Sequence, residues 1–325
     1  MIAFRKLQEQ DFESIARMQA RTEYNGSEYS LLYLSGWPFF RFSEMEIGET
    51  QDCIYLRFTP NHPSTYDPQK CTGDYLYLPP LCEQETFARN VEALRDDCRA
   101  NGKCMYIINV PEAYAKTLDA GQFELRHNRD YDEYLYDPQA LMTLSGKKYH
   151  AKRNFANRFI RAYMDPLAPV VTMREYRDTD ADGVRALFAQ WQQTKTFASK
   201  YRQSEEQETQ FLQRALELLD GKTYFADVME TDGKLIGFSY GEITPSGVGI
   251  VHIEKADTEY DGIYAALNML FARRHFGEVR YINRQEDMGL EGLRQAKESY
   301  RPVAFAEKYG VIACGCKPCV DASEL

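Results

Sequence analysis

Apolar and polar residues alternate along this chain at two spacings, every second position and every third or fourth, and the switches between them mark out short elements. "MIAFRKL" opens as a strand and "DFESIARMQAR" follows as an amphipathic helix. "CIYLRFT" and "DYLYLPPL" alternate as strands, "FARNVEALRDDCRANG" carries a helical stripe, and "CMYIINVP" is a buried strand. "FELRHNRDYDEYLYD" ends the first half as one or two strands rich in Tyr and charge. From residue 169 the order returns: "PVVTMREY" is a strand, then "DTDADGVRALFAQWQQT" and "QETQFLQRALELLDG" are helices, the second stopped by Gly221. "YFADVMETDGKLIGFSYGEI" holds two strands joined at Asp232-Gly233, a strong hairpin signal. "GVGIVHIEKA" is a third strand, "GIYAALNMLFARRHF" a helix, "VRYINRQ" a strand, "GLEGLRQAKESY" a helix, and "FAEKYGV" a last strand closing the same sheet. The halves agree in element order, without a residue-level repeat to fix the match.

Composition narrows the class. The 325 residues are 44% hydrophobic and 13% aromatic, enough for two ordinary cores, and 39 Lys and Arg against 49 Asp and Glu give a net charge of −10. That balance argues against a protein that coats nucleic acid non-specifically. No basic start followed by an apolar run heads the sequence, and charges interrupt every apolar stretch before the about 18 residues that a bilayer span requires. Stable membrane insertion is not expected, and the expected compartment is cytoplasmic. Cys53, Cys71, Cys82, Cys98 and Cys104 are scattered as reduced, space-filling thiols would be. In the tail "ACGCKPCV", Cys314, Cys316 and Cys319 could offer thiolates, but no fourth ligand completes a zinc site, so no metal is expected.

Against this acidic background, "GKKYHAKRNFANRF" is a run without a carboxylate, in which Lys147, Lys148, Lys152, Arg153 and Arg158 gather. Read as a helix, it sets Phe155 and Phe159 as an apolar pair and the cations toward solvent. Such an arm suits phosphates. A solvated helix between two domains accounts for it equally well.

The second-half plan, strand, two helices, three antiparallel strands, helix, strand, helix, strand, resembles the GNAT acyltransferase superfamily. "LMTLSGKKYHAKRNFANRF", "VHIEKAD" and "YINRQEDMGLEGLRQAKESYRP" are similar to the family of the C-terminal catalytic domain of phosphatidylglycerol lysyltransferase, related to the Fem-type aminoacyl transferases. The resemblance implies an α/β (α+β) fold of two tandem GNAT-like domains, each a mixed sheet flanked by helices. The expected bounds are residues 1–140, a basic linker helix at 141–168, a catalytic domain at 169–311 and a tail at 312–325.

In GNAT proteins that use acetyl-CoA, the turn before the helix after the third central strand holds the diphosphate on backbone N–H groups. Here that turn is "EKADTEYDGIYAALN", with Gly262 surrounded by Asp257, Glu259 and Asp261, and these carboxylates would repel a diphosphate. No cofactor is expected and acetyl-CoA is disfavoured, whereas aminoacyl-tRNA fits as donor and the basic arm as its phosphate site. An anionic lipid head group would suit the same arm.

Chemistry is expected where the central strands end. Glu254 follows "VGIVHI" as a base or ammonium ligand, with His252 on the same face two residues earlier. "INRQEDMG" places Asn283, Arg284, Glu286 and Asp287 at the next strand's exit: Glu286 and Asp287 to hold an amine, Arg284 to hold a phosphate or carboxylate. A helix cap at Asp287 is the plainer reading. By the resemblance, Tyr300 is the acid toward the leaving group; a buried tyrosine that only packs is the alternative. The expected function is acyl transfer, aminoacyl from charged tRNA to an amine or hydroxyl. A protein that binds a small ligand without turnover, or an acyl-CoA-dependent N-acyltransferase, would carry the same features.

Overall fold

Fourteen strands are described, in the order β1 (Phe4–Lys6), β2 (Glu46–Glu49), β3 (Ile54–Phe58), β4 (Tyr75–Tyr77), β5 (Met105–Pro111), β6 (Phe123–His127), β7 (Glu133–Tyr136), β8 (Thr172–Glu175), β9 (Tyr224–Thr231), β10 (Lys234–Ile243), β11 (Val248–Ala256), β12 (Tyr281–Asn283), β13 (Ala304–Ala306) and β14 (Lys308–Ala313). The helices are α1 (Phe12–Gln19), α2 (Leu31–Phe40), α3 (Gln84–Ala100), α4 (Glu112–Ala115), α5 (Pro138–Thr143), α6 (His150–Tyr163), α7 (Ala181–Gln193), α8 (Glu205–Glu217), α9 (Ile263–His275) and α10 (Glu291–Glu298). They come from a computed structural model that describes residues 2–40, 45–58, 75–193 and 205–315. Cys71, Cys316 and Cys319 lie outside the described residues, and Cys314 is exposed. Among the described residues no helix is long and apolar enough to cross a membrane, and no cluster of His, Cys, Asp and Glu could hold a metal.

The strands form two seven-stranded mixed sheets, ordered β1-β2-β3-β4-β5-β14-β6 and β13-β7-β12-β11-β10-β9-β8. In each, one interior pair is parallel, β4 with β5 and β11 with β12, and the helix between them, α3 or α9, makes the crossover. The other strand pairings with a described register are antiparallel. Asp232 and Gly233 join β9 to β10 with φ of 47° and 75°, the left-handed pair that a tight hairpin turn demands.

The chain divides into two units, Met1–Glu133 with Ala306–Leu325, and Tyr134–Phe305. These bounds differ from the expected ones in three ways. The alternating run "FELRHNRDYDEYLYD" gives β6 to the first sheet and β7 to the second, and "FAEKYGV" splits into β13 and β14, of which β14 joins the first sheet between β5 and β6. Alternation fixes which face of a strand is buried but not which sheet receives it. The segment expected as a linker is part of the second unit: Asp137 caps α5 through Ala140 N at 2.7 Å with Pro138 at the first turn, and α5 and α6 pack on α9.

Each unit has its own core, built on Leu56, Val91, Leu94 and Ile107 in the first, and on Met229, Ile236, Leu267, Phe271 and Ile282 in the second. Helix α9 is apolar almost all round, as a helix sandwiched between a sheet and other helices must be.

Candidate functional site

Where β11 and β12 part in the second unit, side chains from strands, loop and helices converge. Glu254 of β11 directly opposes Ser239 of β10, on the face covered by α9, where Asn268 donates Nδ2 to Glu254 Oε2 at 3.1 Å. Arg284, just past β12, donates Nη2 to Glu254 Oε1 at 3.0 Å, and both side chains are largely buried. The guanidinium carbon lies 4.8 Å from the ring centre of Tyr300 and 5.9 Å from that of Tyr136. Lys152 of α6 reaches the same place, its ammonium 4.4 Å over the Tyr300 ring.

The electrostatics follow from this packing. Burial lowers the Lys152 pKa, neighbouring Arg284 lowers it further, and Glu254 opposes both. Burial raises Tyr300 to about 12, opposed by Arg284 and assisted by Glu254, so its hydroxyl keeps its proton at neutral pH. One guanidinium nitrogen, Arg284 Nη1, is buried without a hydrogen-bond partner among the described residues.

The loop that carries Arg284 is held by three clamps. Lys297 donates Nζ to the carbonyls of Arg284, Gln285 and Glu286 at 2.5, 2.9 and 2.6 Å. Asp287 takes Arg294 at 2.9 and 2.8 Å, the Tyr134 hydroxyl at 2.5 Å and Gly289 N at 2.8 Å. Burial would raise the Asp287 pKa, but Arg294, Tyr134 and Gly289 N–H outweigh it and hold the carboxyl below its usual range. Gln285 adopts a φ of 61°, and its amide donates to His252 Nδ1 at 2.9 Å, so His252 Nε2 donates to Glu242 at 3.0 Å. Asn283 accepts from Gln285 N at 2.7 Å and sets the turn.

Residues 19–312 match the family described as phosphatidylglycerol lysyltransferase, C-terminal. The chain belongs to that family. A conserved protein of unknown function from Bacteroides thetaiotaomicron is similar at 26% identity and a TM-score of 0.81, over 96% of this chain and 100% of that one. The L-PGS structure from Bacillus licheniformis is similar in fold, with 15% identity, a TM-score of 0.60, and coverage of 96% and 94%. An uncharacterised protein of Mycoplasmoides gallisepticum is 29% identical over 178 residues, 54% of each chain, so the chain spans about half the length of the curated relative it matches. The two mixed sheets are thus the fold of the phosphatidylglycerol lysyltransferase C-terminal family, shared with the L-PGS structure.

For this family member the residues singled out in sequence separate into three groups. Glu254, Arg284, Tyr300 and Lys152 come together. Asn283, His252 and Asp287 instead shape the loop beside them, and Glu286 makes no ion pair among the described residues. His252 does not share a face with Glu254. Register shifts between Tyr240 and Gly241, so β11 inserts an extra residue, and His252 turns to Glu242 and Tyr240 on the face away from α9. The basic arm also divides. Lys152 points inward, Arg153 donates to the carbonyls of Leu144 and Gly146 at 2.6 and 3.2 Å, and Arg158 pairs with Asp261 at 3.0 Å. Lys147 and Lys148 are exposed, and Phe155 is 42% exposed under the Arg158 guanidinium while Phe159 alone is buried.

Asn268 and Tyr136 were not read from the sequence. Asn268 had a signal, as a lone polar residue inside "IYAALNMLFA". Tyr136 had none among 23 tyrosines.

Proposed function

We propose that the second unit transfers an aminoacyl group from charged tRNA to an amine or hydroxyl acceptor at Glu254, Arg284, Lys152 and Tyr300. The observation that carries this reading is that the one inward-pointing cation of the basic arm, Lys152, meets the carboxylate, guanidinium and phenol at the strand ends. The acceptor attacks the ester carbonyl carbon, a new C–N or C–O bond forms, and Glu254 takes the acceptor's proton. The open Nη1 of Arg284 and the Lys152 ammonium face the developing oxyanion. As the bond to the ribose oxygen breaks, Tyr300 supplies the proton; held at about 12, it is matched to an alkoxide-like leaving group.

Two features support a donor other than acyl-CoA. A Cβ on Gly262 would stand 2.3 Å from the carbonyl oxygen of Phe155, so backbone of α6 already covers the first turn of α9. Of the turn's acids, Asp257 holds Lys234 at 3.1 Å and Asp261 holds Arg158, so both of these cations are already paired, and the turn's Lys255 lies 3.2 Å over the Trp191 ring. Lys147 and Lys148 stand exposed at the entry to α6 for the phosphates of the tRNA.

The test is a gel shift with charged tRNA over a salt series, paired with a transfer assay. Lys147→Glu with Lys148→Glu should weaken binding and flatten the salt slope by about two phosphate contacts. Lys152→Met should abolish transfer while leaving binding nearly intact. Unchanged binding in the double variant, or a thermal shift with acetyl-CoA and none with charged tRNA, rejects this reading.

A further inference from the structure

Under α9 a polar row crosses three strands of the second sheet. Asp227 of β9 is directly opposite Ser239 of β10, and Ser239 is directly opposite Glu254 of β11. Opposed residues of neighbouring strands lie about 4.5–5.5 Å apart at Cβ and share a face. Asn268 sits over one end and donates to Glu254. At the other end Asp227 Oδ2 receives His275 Nε2 at 3.0 Å and Arg274 Nε at 2.9 Å, both from the last turn of α9.

The middle of the row is unsatisfied. Asp227 Oδ1, Ser239 Oγ and Asn268 Oδ1 are buried, and none of the three has a hydrogen-bond partner among the described residues. More than nine in ten buried polar groups are satisfied by protein or ordered water, so three open ones at neighbouring positions call for a partner, and water is the simplest. Its sides are apolar. A Cβ added at Gly237 would touch Leu267 and one at Gly241 would touch Phe271, so the helix closes on the sheet to either side of Ser239.

We propose that this row is a proton relay, in which Ser239 and the water beside it carry the proton collected by Glu254 to the Asp227–His275 pair. The inference rests on Glu254 being the base of the transfer step. Each oxygen in the relay accepts one proton and releases another: Glu254 returns to its carboxylate, Ser239 to its hydroxyl, and the pair at the end of α9 gives the proton to solvent, while the Tyr300 phenolate takes a proton back from solvent as the products leave. The exit is open there, since the His275 side chain is 13% exposed and that of Arg274 38%. The charged groups around the two ends are Arg284 and Lys152 beside Glu254, and Arg274 with its partner Glu175 beside His275. Ser239 and Asp227 are therefore positioning residues, acting on the reaction through Glu254.

Two measurements on the full chain test the relay. A crystal structure at about 1.2 Å should show ordered water within hydrogen-bond reach of Ser239 Oγ and of Asp227 Oδ1 or Asn268 Oδ1. In mixtures of light and heavy water, the transfer rate should respond non-linearly to deuterium content, as expected when several protons move together. Ser239→Ala should lower kcat about tenfold, leave KM unchanged and make that response linear. Asp227→Asn, at the far end, should do the same. A dry row, or a Ser239→Ala protein with the parent kcat and the parent deuterium response, overturns the proposal. Water in place but no turnover with any aminoacyl donor rejects the transferase reading and leaves the hydrated row standing.

Discussion

Helices α3 and α9 occupy the same place in their sheets, each bridging the parallel fourth and fifth strands, yet they cover opposite chemistry. Beneath α3 the Tyr55 hydroxyl donates to Asn90 Oδ1 at 3.0 Å, and the Cys98 thiol meets the Tyr77 hydroxyl at 3.3 Å; bulky phenols and thiols fill the face and satisfy one another. Beneath α9 stand Asp227, Ser239 and Glu254, with hydrogen bonds left open. The frames match in detail elsewhere. Arg5 clasps Asp11 at 2.6 and 2.7 Å, and Arg174 clasps Asp180 at 2.6 and 2.8 Å. Each Asp also takes the backbone N–H three residues earlier, Gln8 or Arg177, at 2.8 Å. The two units share what starts the fold and differ where a ligand would be worked on.

The most severe way to break the contrast is at Glu254. Glu254→Gln should reduce transfer by about a hundredfold or more with the melting temperature unchanged, whereas Asn90→Ala in the first unit should cost about 1 kcal/mol of stability and leave kcat alone. Equal kinetic effects from the two changes would erase the distinction. A large structural effect is expected at Lys308, which holds Glu28 and Glu133 at 2.5 and 2.7 Å inside the first unit. Lys308→Met leaves two buried carboxylates facing each other and should cost about 3–5 kcal/mol in urea unfolding. Gly262→Ala meets both a φ of 87° and the Phe155 carbonyl, and should cost about 1–3 kcal/mol.

The smallest effects are in pH dependence, and their signs oppose. Burial raises Glu28 to about 7, with Lys308 opposing and Glu133 adding. Its folded pKa lies above its unfolded value, so this contribution is whole below about 4.5 and fades as pH rises toward about 7. Asp11 and Asp180 are lowered, chiefly by the hydrogen bonds from Arg5 and Arg174, so their contributions are whole above the ordinary carboxylate range and fade as acid is added. Glu28→Gln should flatten the neutral slope of stability against pH, and Asp180→Asn should flatten the acid one; urea midpoints across pH would show both.

Much of the fold was legible because its signals are local: the Asp232-Gly233 turn, the stripes of α1 and α3, and the apolar run of α9. The repeated clasp was missed, although "FRKLQEQDFESI" and "MREYRDTDADGV" both set an Arg six residues before an Asp, because the pairing acquires meaning only once both are seen to start a strand and a helix. The membership of β7 and β14 was not, because short strands carry no mark of the sheet they enter. In the site, Glu254 and Arg284 could be picked out by residue type and position at strand ends, and Tyr300 only by the family resemblance. His252 was misplaced by a bulge that alternation cannot reveal. Lys152 could not be told from its neighbours, since only the burial of one helix face separates an inward cation from a solvated one.

The placement of β14 between β5 and β6 has a consequence for biosynthesis. A nascent chain emerging from the ribosome in order presents β5 and β6 long before the strand that must lie between them, so the first sheet stays open until almost all of the described chain has been made. Its early strands would meet the cell with unpaired edges, and cutting the protein between residues 140 and 141 would strand β7 on the wrong fragment and leave the amino-terminal half without β14.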